Sequence, residues 1–294
     1  MSDREKKVDE LAGAFLLQVA RAMSLPQTRV VRTLLRWGIG NPARRLAEIS
    51  LELDRRIART GPAEAARWLL SHFVSGCRAC GDELIPETGP LLIVANHPSS
   101  YDALVVSACV NRPDYKILIG DIPPYHFLPN VCNHAIFSPN AKDTFGRMRA
   151  IREATRHLES GGALLIFPRG DIEPDPDFMP GPDLEFDRWS RSLEIFLRRV
   201  PRTRVLVAVI SGVISPRALR HPITWFRRDR PDRQRLAYIY QIIRQMLSGK
   251  ELFGLEPRVT FGEATPLSGQ DNNLSGIRQA ARNTLRRHLA GVRP

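Results

Sequence analysis

The sequence lacks several things that would settle a class at once. No apolar run reaches the roughly 18 residues that a spanning helix needs. The richest stretch near the start, Leu11 to Leu25, is interrupted by Gln18 and Arg21. The opening Ser-Asp-Arg-Glu-Lys-Lys leads into no long apolar core closed by a small-residue cleavage pattern, so a secretory signal is not expected. The chain therefore reads as cytoplasmic. Four cysteines are too few for a disulfide scaffold. Cys77 and Cys80 form one Cys-x-x-Cys pair, but Cys109 and Cys132 give no second pair at metal spacing. They read as ordinary structural cysteines, and no metal is expected. Zinc-finger spacing and ribonucleoprotein-type aromatic motifs are missing too, so nucleic acid has only charge in its favour and is not an expected partner. There is no Gly-x-Ser-x-Gly elbow or other marked nucleophile.

What is present is a strong positive balance. The 294 residues carry a formal charge of +12, nearly all of the basic ones being arginine. Such a charge implies an anionic partner without choosing it: nucleic acid, an anionic lipid surface, a phosphorylated substrate or coenzyme A all fit. With 43% hydrophobic and 25% charged residues the chain suits one large globular domain, or one domain and a smaller lobe.

From Asp9 to about Phe73 the pattern is helical. Leu34, Leu35, Ile39, Leu46, Ile49, Leu53 and Ile57 recur at steps of three and four, and Pro26, Pro42 and Pro62 mark starts or breaks. Residues 1–75 are read as an N-terminal helical lobe and residues 76–294 as an α/β domain. In the latter the period changes. Short apolar runs at Pro90–Asn96, Tyr115–Gly120, Ala135–Phe137, Ala163–Pro168, Val205–Ser211 and Arg258–Gly262 read as strands. Helical segments alternate with them at Tyr101–Val110, Asp143–Ser160, Leu184–Arg199, Arg233–Leu247 and Gly276–Leu289. The alternation predicts an α/β fold with a mixed, mostly parallel sheet flanked by helices.

The informative segment is Asn96-His97-Pro98-Ser99-Ser100-Tyr101-Asp102. It lies where a buried strand gives way to a helix, the place where such sheets expose reactive groups. Pro98 keeps His97 extended, Ser99 or Ser100 can cap the helix, and Asp102 falls in the first turn. The chain reversal lets the two side chains meet. A carboxylate on one imidazole nitrogen fixes the tautomer and leaves the other nitrogen a base. A capping acid and a loop histidine would account for each residue alone; together they point to chemistry.

His-x4-Asp after an apolar strand, preceded by Asp82-Glu-Leu-Ile-Pro-Glu-Thr-Gly-Pro90, resembles the phospholipid and glycerol acyltransferase family, whose members include 1-acylglycerol-3-phosphate acyltransferase. The similarity runs from about Gly76 to Leu267 and closes on Val259-Thr-Phe-Gly-Glu-Ala-Thr-Pro-Leu267. It implies direct attack of an acceptor hydroxyl on an acyl thioester, with His97 as general base, Asp102 as its orienter and no acyl-enzyme. The donor would be acyl-CoA or acyl carrier protein, used as co-substrate, with no other cofactor. The acceptor would be a lysophospholipid or a glycerol-phosphate-like molecule. Asn96 and Gly170 are carried over as substrate-binding.

The chain departs from the family at two places. Ile166-Phe-Pro-Arg-Gly170 stands where Phe-Pro-Glu-Gly is usual, so Arg169 replaces a glutamate. The stretch His134-Ala-Ile-Phe-Ser-Pro139 lacks the arginine expected to hold the acceptor phosphate, a role open to Lys142, Arg147 or Arg169. These departures keep a second reading in view, a non-catalytic lipid-binding or membrane-associated relative. Asp171-Ile-Glu-Pro-Asp-Pro-Asp177 lacks a calcium loop's glycine and reads as a solvated acidic loop. Trp225, Phe226, Arg227 and Arg228 place two aromatics beside cations, the means by which a peripheral protein holds the anionic inner face of a membrane.

Overall fold

The computed structural model describes residues 2–139, 143–266 and 274–291. Two long helices come first. α1 (Asp3–Ala22) starts in a capping box, with the Ser2 hydroxyl accepting the Glu5 N–H and the Glu5 carboxylate accepting the Ser2 N–H. α2 (Arg29–Leu70) is capped by Thr28 and leaves helical geometry at Ile39 and at Gly61, just ahead of Pro42 and Pro62. A proline supplies no N–H and crowds the turn before it, so the breaks fall where the sequence placed them. Gly61 sits at φ 82°, a conformation that only glycine takes without penalty.

The remaining elements alternate: β1 (Arg78–Cys80), β2 (Leu91–Ala95), α3 (Asp102–Ser107), β3 (Tyr115–Gly120), α4 (Pro129–Asn133), β4 (Ala135–Ser138), α5 (Thr144–Glu159), β5 (Ala163–Ile166), α6 (Pro182–Glu185), α7 (Ser192–Arg199), β6 (Arg204–Ser211), α8 (Pro216–Leu219), α9 (Arg230–Ser248), β7 (Arg258–Phe261), β8 (Thr265–Pro266) and α10 (Leu274–Ala290). The strands form one mixed, mostly parallel sheet in the order β1-β7-β6-β2-β5-β3-β4. β6, β2, β5, β3 and β4 run parallel, while β7 and β8 pair antiparallel with β6.

All five residues of the central strand β2 are buried, because helices cover both faces of the sheet. Successive side chains point to opposite faces. Leu91 and Ile93 pack with Leu69, Phe73, Val105 and Met246 from α2, α3 and α9 or their ends. Leu92 and Val94 pack with Ala154, Leu158, Phe196 and Ile277 from α5, α7 and α10. The carboxyl ends of five parallel strands therefore line one edge of the sheet, and the loops there build the site.

Two expectations are corrected. The helix read over 184–199 is two short helices, since Trp189 leaves helical geometry (ψ 137°) and turns its ring into the core. The acidic loop 171–177 is solvated only in part: Glu173 and Asp175 are 1% and 0% exposed. Buried carboxylates need donors, and these have them. Asp175 accepts the N–H groups of Asp177, Gly212 and Val213, which fixes the turn after β6.

Candidate active site

His97 and Asp102 meet as their spacing suggested. The His97 Nδ1 lies 2.8 Å from Asp102 Oδ2, and the same carboxylate oxygen accepts the Ser99 N–H at 2.9 Å. Neither Ser99 nor Ser100 caps α3 by its hydroxyl; the Asp102 carboxylate takes that turn's N–H instead, and no side chain caps the helix. Asp102 is wholly buried while His97 is part-exposed. Burial pushes the Asp102 carboxyl up, and the hydrogen bond and charge of His97 pull it back. The His97 Nε2 has no partner among the described residues, so the ring's second nitrogen is open to a substrate proton. Phe167 stacks on the imidazole, with centroids 4.5 Å apart, and holds its plane.

Asn96 is 3% exposed. Its carboxamide accepts the Ile210 N–H at 2.7 Å and donates to the Ile210 carbonyl at 2.9 Å. The β2–β6 ladder ends at Ala95 and Ala208. Beyond it the Asn96 side chain takes the place of the next backbone pairing and frees the main chain to turn toward His97. Asn96 is thus a fastening of the turn.

The turn is clamped from two other loops as well. His97 and Glu173 bond reciprocally: the Glu173 N–H donates to the His97 carbonyl, and the His97 N–H donates to Glu173 Oε2. From α9 the wholly buried Gln234 donates to the carbonyls of Pro98 and Glu173. Arg230 donates to the Ile172 carbonyl and pairs with Glu185. Glu173, Arg230 and Gln234 were not read as site residues because the bonds that tie them to this turn span 45 to 136 positions. The one local signal was a glutamate followed by a proline in a segment that looked merely acidic.

The other expected substrate-binding residues part ways. Arg169 stands on the rim with its Nε on Glu185 Oε2 at 2.8 Å, and this bond raises its already high pKa. Its two terminal nitrogens have no partner among the described residues. Gly170 is exposed at φ 68° and turns the chain after β5. Arg147 is exposed on α5, and Lys142 lies outside the described residues. At the proposed membrane contact, Trp225 and Phe226 are 68% and 78% exposed. Arg228 is exposed beside them. Arg227 is not free for lipid, because its guanidinium donates to the Ala22 carbonyl and the Ser24 hydroxyl at the end of α1.

No curated protein matches the chain. Among solved structures it is similar to the 1-acyl-sn-glycerophosphate (LPA) acyltransferase PlsC from Thermotoga maritima, with 17% identity over 96% of this chain and 89% of that one and a TM-score of 0.48. Residues 77–184 match the model of the acyltransferase family. That segment carries the His97–Asp102 turn and the loop that clamps it.

Proposed function

We propose that the enzyme moves an acyl chain from acyl-CoA or acyl carrier protein to a hydroxyl of a lysophospholipid or glycerol-phosphate-like acceptor, with His97 as general base. The observation that carries this reading is the 2.8 Å contact between His97 Nδ1 and a buried Asp102, with Nε2 open. Asp102 holds the proton on Nδ1, so Nε2 is the basic nitrogen. Nε2 takes the acceptor's hydroxyl proton as the oxygen attacks the thioester carbonyl. Collapse of the tetrahedral intermediate breaks the C–S bond, and the imidazolium returns the proton to the leaving sulfur. An ester and a free thiol result, and the enzyme is unchanged. The anionic intermediate beside a cationic ring explains why the orienting carboxylate is placed where it steadies the imidazolium.

The acceptor's phosphate is assigned to the free end of Arg169, where a planar fork fits two oxygens. Docking is assigned to the exposed aromatics at 225–226 together with the outer stripe of α2, where Val30, Leu34 and Trp37 are 68%, 61% and 89% exposed. No helix among the described residues is long and apolar enough to cross a membrane. The lipid acceptor is therefore met at a surface, by a protein bound peripherally.

An acyl-transfer assay over a panel of lysolipid and glycerol-phosphate acceptors, read by free thiol release, tests the reading. His97→Ala should lower kcat by at least 10²- to 10⁴-fold, the usual contribution of a general base. Asp102→Asn should lose much of the rate by admitting the wrong tautomer. Full turnover in both variants sinks the mechanism.

A further inference from the structure

Resting on that reading of His97, we infer that Glu173 is a positioning residue for the reaction: a carboxylate that brackets the His97 main chain and, once ionised, supports the imidazolium electrostatically. Three observations carry this. The first is the bracketing itself. The Glu173 side chain accepts the His97 N–H at 2.7 Å, and the Glu173 N–H donates to the His97 carbonyl at 2.8 Å. A shift of this loop moves the base directly.

The second is the donor pattern. Glu173 Oε1 accepts the Trp189 indole N–H at 2.9 Å while Oε2 accepts from His97. Both oxygens face N–H groups, so the place fits an acceptor at each end. A carboxyl group offers that, whereas a glutamine would turn its amide N–H toward one of the two N–H groups. Trp189, pulled out of helical geometry to reach this oxygen, is 2% exposed.

The third is the charge balance. Arg169 and Arg230 face the carboxylate across Glu185, which pairs with both of them and raises the Glu173 pKa. Burial is the largest influence on Glu173 and places it at about 7, against the pull of Trp189 and of His97. A buried acid of this kind is costly to ionise and is not explained by stability. Its negative charge lies one residue's backbone away from the ring that becomes positive during transfer. With Asp102 on the ring and Glu173 on the main chain, two carboxylates serve one histidine.

Glu173→Gln keeps the shape and removes the charge. It should lower kcat about 10- to 100-fold, as loss of a supporting partner does, with the acceptor's KM changed less than about threefold. The acid limb of the pH–rate profile should move to lower pH by about a unit, the usual effect of losing one nearby charge. Trp189→Phe should move that limb the other way, because Glu173 then takes up its proton at higher pH. A readout independent of turnover is the NMR titration of the His97 ring, its resonance assigned by its loss in His97→Ala. The ring's midpoint should fall in Glu173→Gln. A lower melting temperature with an unmoved limb and an unmoved ring titration would show a merely structural residue and overturn the inference. If wild type transfers no acyl group yet the ring titration still responds to Glu173→Gln, the acyl-transfer reading fails and the coupling stands. If the ring titration does not respond, the inference is overturned whatever the activity.

Discussion

Arg169 stands where the resemblance implies a glutamate, and its surroundings explain how the charge is accommodated. Glu185, only 10% exposed at its side chain, takes the Arg169 Nε, and it also holds Arg230 at 3.0 Å. A reversal at residue 169 is thus balanced by an acid supplied from α6. Because the bond uses Nε alone, the end of the fork remains for an anionic acceptor. Arg169→Gln should raise the acceptor's KM several-fold, and Arg169→Glu by more than tenfold, since it sets two acids side by side on the rim. The donor's KM should change little in either. Activity kept or raised in Arg169→Glu would show that the arginine is incidental. At this scale the sequence was legible where interacting residues are close along it. His97 and Asp102 are five apart, and a strand, a proline and a helix start fix how they face each other. The fastening role of Asn96 was not legible for the opposite reason, since its partner Ile210 is 114 residues on and nothing near Asn96 announces it.

At the scale of elements, the strands and crossover helices were legible because buried parallel strands are short continuous apolar runs with periodic helices between them. What was not legible is how irregular segments are held, because buried polar contacts there join distant stretches. His288 on α10 is one example. It is 3% exposed, and its ring lies 2.8 Å from the Thr260 hydroxyl on β7 and 2.7 Å from the Ser211 hydroxyl on β6. Ser211 donates its hydrogen to Asp177, so its oxygen accepts from the His288 Nε2–H, and Nδ1 accepts from Thr260. The ring is neutral. Burial, reinforced by Arg258, lowers its pKa from 6.5 to about 4, with Asp177 opposing. Between those values the unfolded chain binds a proton at this residue that the folded chain does not, so the folded state loses stability as pH falls from about 6.5 to about 4. The loss should reach at most about 3 kcal/mol. Glu173 and Asp175, both raised to about 7 by burial, act in the opposite sense over an overlapping range. Comparison with His288→Gln cancels them, since both proteins carry both acids. Denaturant titrations should find the variant about 1–3 kcal/mol less stable at pH 8, with the gap narrowing as pH drops through 6.5 toward 4. A gap constant across that range would mean that His288 is not neutral in the fold.

On the molecule as a whole, positive charge lies beside exposed apolar residues. The formal charge is +12, carried largely by arginine. Exposed arginines at 29, 32 and 36 border the Val30, Leu34 and Trp37 stripe of α2, and Arg228 borders Trp225 and Phe226. Arg227 ties the turn bearing those aromatics to the end of α1, from which the chain runs through residues 23–28 into that same stripe. Large exposed aromatics are unfavourable in water unless something covers them, and an interface of headgroups covers the rings while pairing the cations. Each arginine near an anionic surface contributes about 1 kcal/mol, weakened by salt. The protein should therefore sediment with vesicles containing anionic lipid, less with zwitterionic ones, and be released by high salt. Replacing Trp225 and Phe226 together by Ala leaves the charge unchanged and removes large apolar faces, each contributing about 1.5–3 kcal/mol if fully buried and less in an interface. Partitioning should drop at least tenfold. Leu34→Glu with Trp37→Glu should lower it further by adding repulsion. If the first pair leaves binding intact while the second abolishes it, the α2 stripe alone is the contact; if neither pair matters, the protein meets its lipid through another face.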